Sequence, residues 1–69
     1  MTHPGSPQVR LVNEIALQFE HQPPDTAAEA IAGHIRKFWD PRMRSDLLHR
    51  AEVAAAELNP LALAAVRLL

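Results

Sequence analysis

Phe38-Trp39-Asp40-Pro41-Arg42-Met43-Arg44 ends one helix and begins another within seven residues. Pro41 disfavours helical backbone at the residue before it, so the apolar periodicity that reaches Trp39 must stop near Asp40. An Asp followed by Pro is also how a helix opens. The carboxylate accepts a hydrogen bond from a first-turn N–H, and proline, with no donor to lose, already has helical φ. Two helices meeting at a sharp corner are therefore predicted on either side of this stretch.

Working outward, Ala28, Ile31, Ile35, Phe38 and Trp39 recur at helical spacing before the corner, and Thr26 with Glu29 fits a capping box. A second helix is predicted from Thr26, preceded by a loop at Gln22-Pro23-Pro24-Asp25, where consecutive prolines remove donors. Ser6-Pro7 opens the first helix by the cap-and-proline rule. Val9, Val12, Ile15, Ala16 and Phe19, widened by Leu11, form its apolar stripe as far as about Glu20, with Arg10, Asn13, Glu14 and Gln18 on the other side. After the corner, Met43, Leu47, Leu48, Ala51, Ala54, Ala55 and Leu58 describe one continuous third helix. Asn59-Pro60 then opens a fourth, Leu61 to Leu69. The expected fold is all-α, a small bundle of about four short helices, as a single domain over residues 1–69 with 1–6 a flexible N-terminus.

Three features suggest a chain that leans on a partner. At 69 residues a core rarely supplies more than about 3–5 kcal/mol of net stability. The final helix has one charge, Arg67, in nine residues and is apolar nearly all round, the pattern of a helix covered on several sides. Gly33, inside the second helix, is unfavourable there and points to a close backbone approach, either at an internal crossing or against another chain.

Chemistry is sparse. There is no cysteine, which removes disulfides and thiolate ligation of metals or clusters. His3, His21, His34 and His49 are not spaced to share one helical face, and no metal is expected. Asp25, Glu29 and Asp40 sit where helix dipoles favour negative charge, and neither Asp25 with Glu29 nor Glu14 with Asp46 suggests a desolvating cleft. Ser6 and Ser45 lack a nucleophile-elbow context. No catalytic residue is expected. Seven cations against eight acids give a net charge of −1, unlike a protein that neutralises many phosphates, so nucleic acid is not expected as a partner. No run approaches the roughly 18 apolar residues of a membrane span, and there is no signal-peptide pattern, so the expected location is the cytoplasm.

What remains is the corner, where Arg36, Lys37, Arg42 and Arg44, four of the seven cations, gather around the only tryptophan and one of two phenylalanines. Trp and Arg are enriched among residues that carry binding energy at interfaces. Phe38 is assigned to the core, and Trp39 to both core and surface. Arg42 and Arg44, two positions apart, should point to different sides of their helix. The candidate partner interface is Arg36, Trp39, Arg42 and Arg44, with Leu68 and Leu69 from the final helix.

These residues carry a resemblance. Phe38-Trp39-Asp40-Pro41-Arg42-Met43-Arg44 behind a helix containing Ala30, His34 and Ile35, Leu11-Val12-Asn13-Glu14-Ile15-Ala16 with Phe19, and Leu58-Asn59-Pro60-Leu61 before an alanine-rich end together resemble the delta-subunit family of NAD-dependent formate dehydrogenases, from about Val9 onward. Family members often carry methionine and glutamine in the first helix where this chain has Val12-Asn13-Glu14; the helical pattern survives the difference. The resemblance implies a place beside the molybdenum catalytic subunit of an enzyme that oxidises formate to carbon dioxide and reduces NAD. It also implies that this chain binds no cofactor of its own and assists assembly, cofactor maturation or stability. Two other readings stay open: a transient maturation chaperone that leaves the finished enzyme, and a small helix-turn-helix DNA-binding protein built on the cationic corner. Self-association through the final helix is a further expectation for the isolated chain.

Overall fold

The computed structural model describes residues 6–69. Residues 1–5, which include His3 and most of the segment expected to be flexible, lie outside the described residues. Four α-helices follow in order: α1 Pro7–Gln18, α2 Pro24–Phe38, α3 Pro41–Val53 and α4 Pro60–Val66, with a single 3₁₀ turn at Ala55–Glu57 between the last two. All four α-helices begin on proline. At three of them a side chain caps as the sequence predicts. Ser6 Oγ accepts from the Val9 N–H at 3.2 Å, Asp40 Oδ1 from Met43 at 2.8 Å, and Asn59 Oδ1 from Leu61 at 2.8 Å.

Helix α2 departs from this rule. It starts at Pro24, two residues before the expected Thr26, and no side chain caps it. Pro23 is extended (φ −55°, ψ 142°), while Pro24 takes the first helical position, where its fixed φ serves the helix and its missing N–H is not needed. The proline pair thus both ends the loop and opens the helix, and Thr26 lies inside the first turn rather than at its cap. The capping box expected from Thr26 and Glu29 is not used.

The third helix is also shorter than its periodicity. Ala54 leaves the helix (φ −148°, ψ 49°), although Ala54-Ala55-Ala56-Glu57 is good helix-forming sequence. Tertiary contacts override the local preference: the break swings the chain inward so that Leu58 is buried with the core. It also brings the Glu57 carbonyl and the Asn59 N–H to the side chain of Asn13, which donates through Nδ2 to Glu57 O at 2.9 Å and accepts at Oδ1 from Asn59 N at 2.7 Å. Asn13, expected on the outer side of α1, is therefore a clamp between α1 and the entry to α4. Only one orientation of its amide satisfies both partners.

One core joins all four helices. It holds Val9, Val12 and Ala16 from α1, Ile31, Ala32 and Ile35 from α2, Leu47 from α3, and Ala62, Ala65 and Val66 from α4, together with Trp39 and Leu58 from the connections. Val12, Ile31, Ile35 and Leu47 are its largest fully enclosed side chains, and each contributes about 1.5–3 kcal/mol relative to exposure. The most extensive helix pairing is α2 with α4, across buried alanines on both: Ala28 and Ala32 on one, Ala62 and Ala65 on the other. Small side chains let these backbones approach. Gly33 does not take part. A Cβ built on it would meet nothing within 4 Å, so the internal crossing expected there is absent, and its helical position faces away from the buried stripe.

The α-helical part of the final element ends at Val66. Beyond it, Leu68 N–H donates to Ala65 O and Leu69 N–H to Val66 O, each at 3.0 Å, the tighter i to i−3 pattern of a fraying helix end. No helix among the described residues is long and apolar enough to cross a membrane.

Candidate partner interface

The corner is two residues long. α2 stops at Phe38 because Trp39 turns extended (φ −94°, ψ 139°), and Asp40 is extended as well (φ −78°, ψ 168°), as its following proline requires. Helical geometry alone cannot tell which of the two neighbouring aromatics goes inside. At 100° per residue they lie on opposite edges of the buried stripe of α2, each about 50° from its centre. The extended backbone at Trp39 resolves the choice. The indole swings under the corner into the core, 6% exposed, and Phe38 is left outside at 66% exposure. The expected assignment of Phe38 to the core is thus reversed, and Trp39 serves as the corner's internal anchor.

Phe38 has company on the surface. The His34 ring, one turn back, lies 4.8 Å away centroid to centroid and tilted by 43°, and Lys37 Nζ is 6.0 Å from the Phe38 ring centroid. All three side chains are exposed. With Phe38 expected in the core, the sequence reading does not group it with His34 and Lys37. The signal was nonetheless present, since positions 34, 37 and 38 are related by steps of three and four and must share a helix face.

The residues expected at the interface separate into distinct places. Arg36 sits on the opposite edge of α2 from Phe38, where its Nη2 donates to the Leu68 carbonyl at 2.8 Å and ties the end of the chain's last turn to α2. Glu29, Arg36 and Leu68 line a shallow cleft there. A neighbouring one adds Asp25, Ala28 and Ala64. Leu68 is exposed and Leu69 half-buried against the core. Arg44 and Leu69 share another cleft with Pro41, Ser45 and Leu48, whereas Arg42 is exposed on the first turn of α3, so the two arginines do point to different sides. The four corner cations therefore do not form one basic helix face of the kind that reads a DNA groove.

Titratable groups offer little else that is organised. Asp46 has one carboxylate oxygen buried without a hydrogen-bond partner. Among the described residues, no three His, Asp or Glu side chains come together as a metal site would need.

No curated protein matches this chain, and no solved structure does. The pattern of the NADH-dependent formate dehydrogenase delta subunit, FdsD, matches it over residues 8–66 of 69, a span that contains all four helices but for the first residue of α1, together with the Phe38–Trp39 corner and the Asn59-Pro60 cap. The chain belongs to the delta-subunit family of NADH-dependent formate dehydrogenases.

Proposed function

We propose that this chain is a non-catalytic accessory subunit of a cytoplasmic formate dehydrogenase. It docks on the molybdenum-containing catalytic subunit and supports assembly, cofactor maturation or stability of the complex that oxidises formate and reduces NAD. The observation that carries the reading is the family match over residues 8–66. Two physical features support it. An exposed aromatic residue with a cation beside it is surface that a partner would gain from covering. The small core, assembled largely from alanine and valine, leaves Leu11, Leu17, Phe38, Leu48, Val53 and Leu68 exposed, and an accessory subunit gains stability when a partner covers some of these side chains.

The test is co-purification of the tagged chain with the catalytic subunit in cofactor-free and cofactor-loaded forms, alongside formate-dependent NAD reduction. A fixed ratio with both forms supports a resident subunit. Retention by the cofactor-free form alone makes it a transient maturation chaperone. No retention by either overturns the proposal.

A further inference from the structure

Charge on this chain is unevenly placed. Residues 36–44 carry Arg36, Lys37, Arg42 and Arg44 against Asp40, a local balance of +3, while the whole chain stands at −1, so the remainder carries −4. The one acid of the corner is partly committed, because Asp40 Oδ1 holds the Met43 N–H. Phe38, the most exposed of the large apolar side chains, lies within this positive region, with Lys37 and His34 against its ring and Arg42 exposed just past the corner. Arg36 and Arg44 face the clefts of Leu68 and Leu69 instead, which leaves Lys37 against the Phe38 ring and Arg42 exposed on the first turn of α3.

An exposed phenyl ring with a lysine beside it, at a corner of net positive charge on an otherwise acidic protein, is complementary to one kind of surface. We infer that the α2–α3 corner is the docking face of this chain, and that its occupant is an acidic segment of another subunit. An apolar side chain of that segment covers Phe38, and its flanking Asp or Glu residues pair with Lys37 and Arg42. The inference rests on the docking reading above and specifies the face and the chemistry of the partner. Apolar burial at Phe38 supplies the centre of the contact, and the charges set its orientation and association rate. The acidic remainder of the chain would repel the same segment, so that binding is confined to the corner.

The test uses the full chain and the formate dehydrogenase catalytic subunit, with binding measured at low and at high ionic strength. The variants are Phe38→Ala, the double reversal Lys37→Glu with Arg42→Glu, and Leu17→Ala as an exposed apolar control on α1. Circular dichroism establishes that each is folded. Phe38→Ala is expected to weaken binding about tenfold or more at both ionic strengths. The charge reversal should weaken it at low salt and flatten its salt dependence, and Leu17→Ala should bind as the parent chain does. If the parent binds and both corner variants bind equally well, the inference falls while the docking reading stands; if the parent does not bind, both fall. If the corner variants alter only self-association in sedimentation, the occupant is a second copy and the inference is likewise overturned.

Discussion

Asn13 and Asn59, 46 residues apart, are joined by a 2.7 Å hydrogen bond from the Asn59 backbone N–H to the Asn13 side-chain oxygen. The same amide donates to Glu57 O at 2.9 Å, and Asn59 in turn caps α4 through its own side chain. One side chain on α1 thus fixes where the last helix begins. Removing it leaves a part-buried N–H without its partner, and Asn13→Ala should destabilise the chain by about 1–2 kcal/mol. Asn13→Asp should recover only part of this, because a carboxylate can accept from Asn59 but cannot donate to Glu57 and places negative charge beside a carbonyl. Urea denaturation followed by circular dichroism checks both, and a neutral Asn13→Ala would refute the clamp.

The two neighbouring aromatics should respond in opposite ways. Trp39→Ala empties a core site and costs about 3–5 kcal/mol, comparable to all the net stability a chain of this size commonly holds. The expected result is loss of a cooperative thermal transition. Phe38→Ala, at the exposed position, should change stability by no more than about 0.5 kcal/mol. A larger loss for Phe38→Ala than for Trp39→Ala would mean that the aromatic assigned to the core is the wrong one.

Gly33→Ala should stabilise the isolated chain. The added Cβ meets nothing within 4 Å, so only the helix-propensity gain of about 0.5–1 kcal/mol remains. A rise in thermal midpoint is expected. A fall would show that the surroundings of α2 are tighter than the open space found there.

The caps divide in the same manner. Asp40→Ala removes the carboxylate that holds the Met43 N–H and should cost about 0.5–2 kcal/mol. Thr26→Ala, within a first turn opened by Pro24, should cost no more than about 0.5 kcal/mol. Thermal melts of the two variants side by side test this. A Thr26 effect as large as that of Asp40 would restore the capping box that α2 does not use.

Much of this architecture was legible in the residue order, for local reasons. The helix starts at Pro7, Pro41 and Pro60 follow from proline's fixed φ and from a capping side chain immediately before it, and neither depends on the rest of the fold. The corner motif and the apolar periodicity likewise lie within short stretches, and so the all-α reading and the family resemblance held.

Tertiary structure decided what local rules leave degenerate. Phe38 and Trp39 are adjacent and equally close to the stripe of α2, so their assignment depended on the extended turn at Trp39 and on the space beneath it. The third helix had no breaker at Ala54; it ends there because Leu58 gains burial and the backbone around it finds Asn13, a partner more than forty residues away. Gly33 suggested a close crossing, yet the crossing formed at alanines on the opposite face. Residue order alone determined where three of the four helices begin, at Pro7, Pro41 and Pro60, because helix initiation is a matter of a few neighbouring torsions and hydrogen bonds. Which side chains face outward, and hence what a partner can touch, was set only when four short helices had to share one small core.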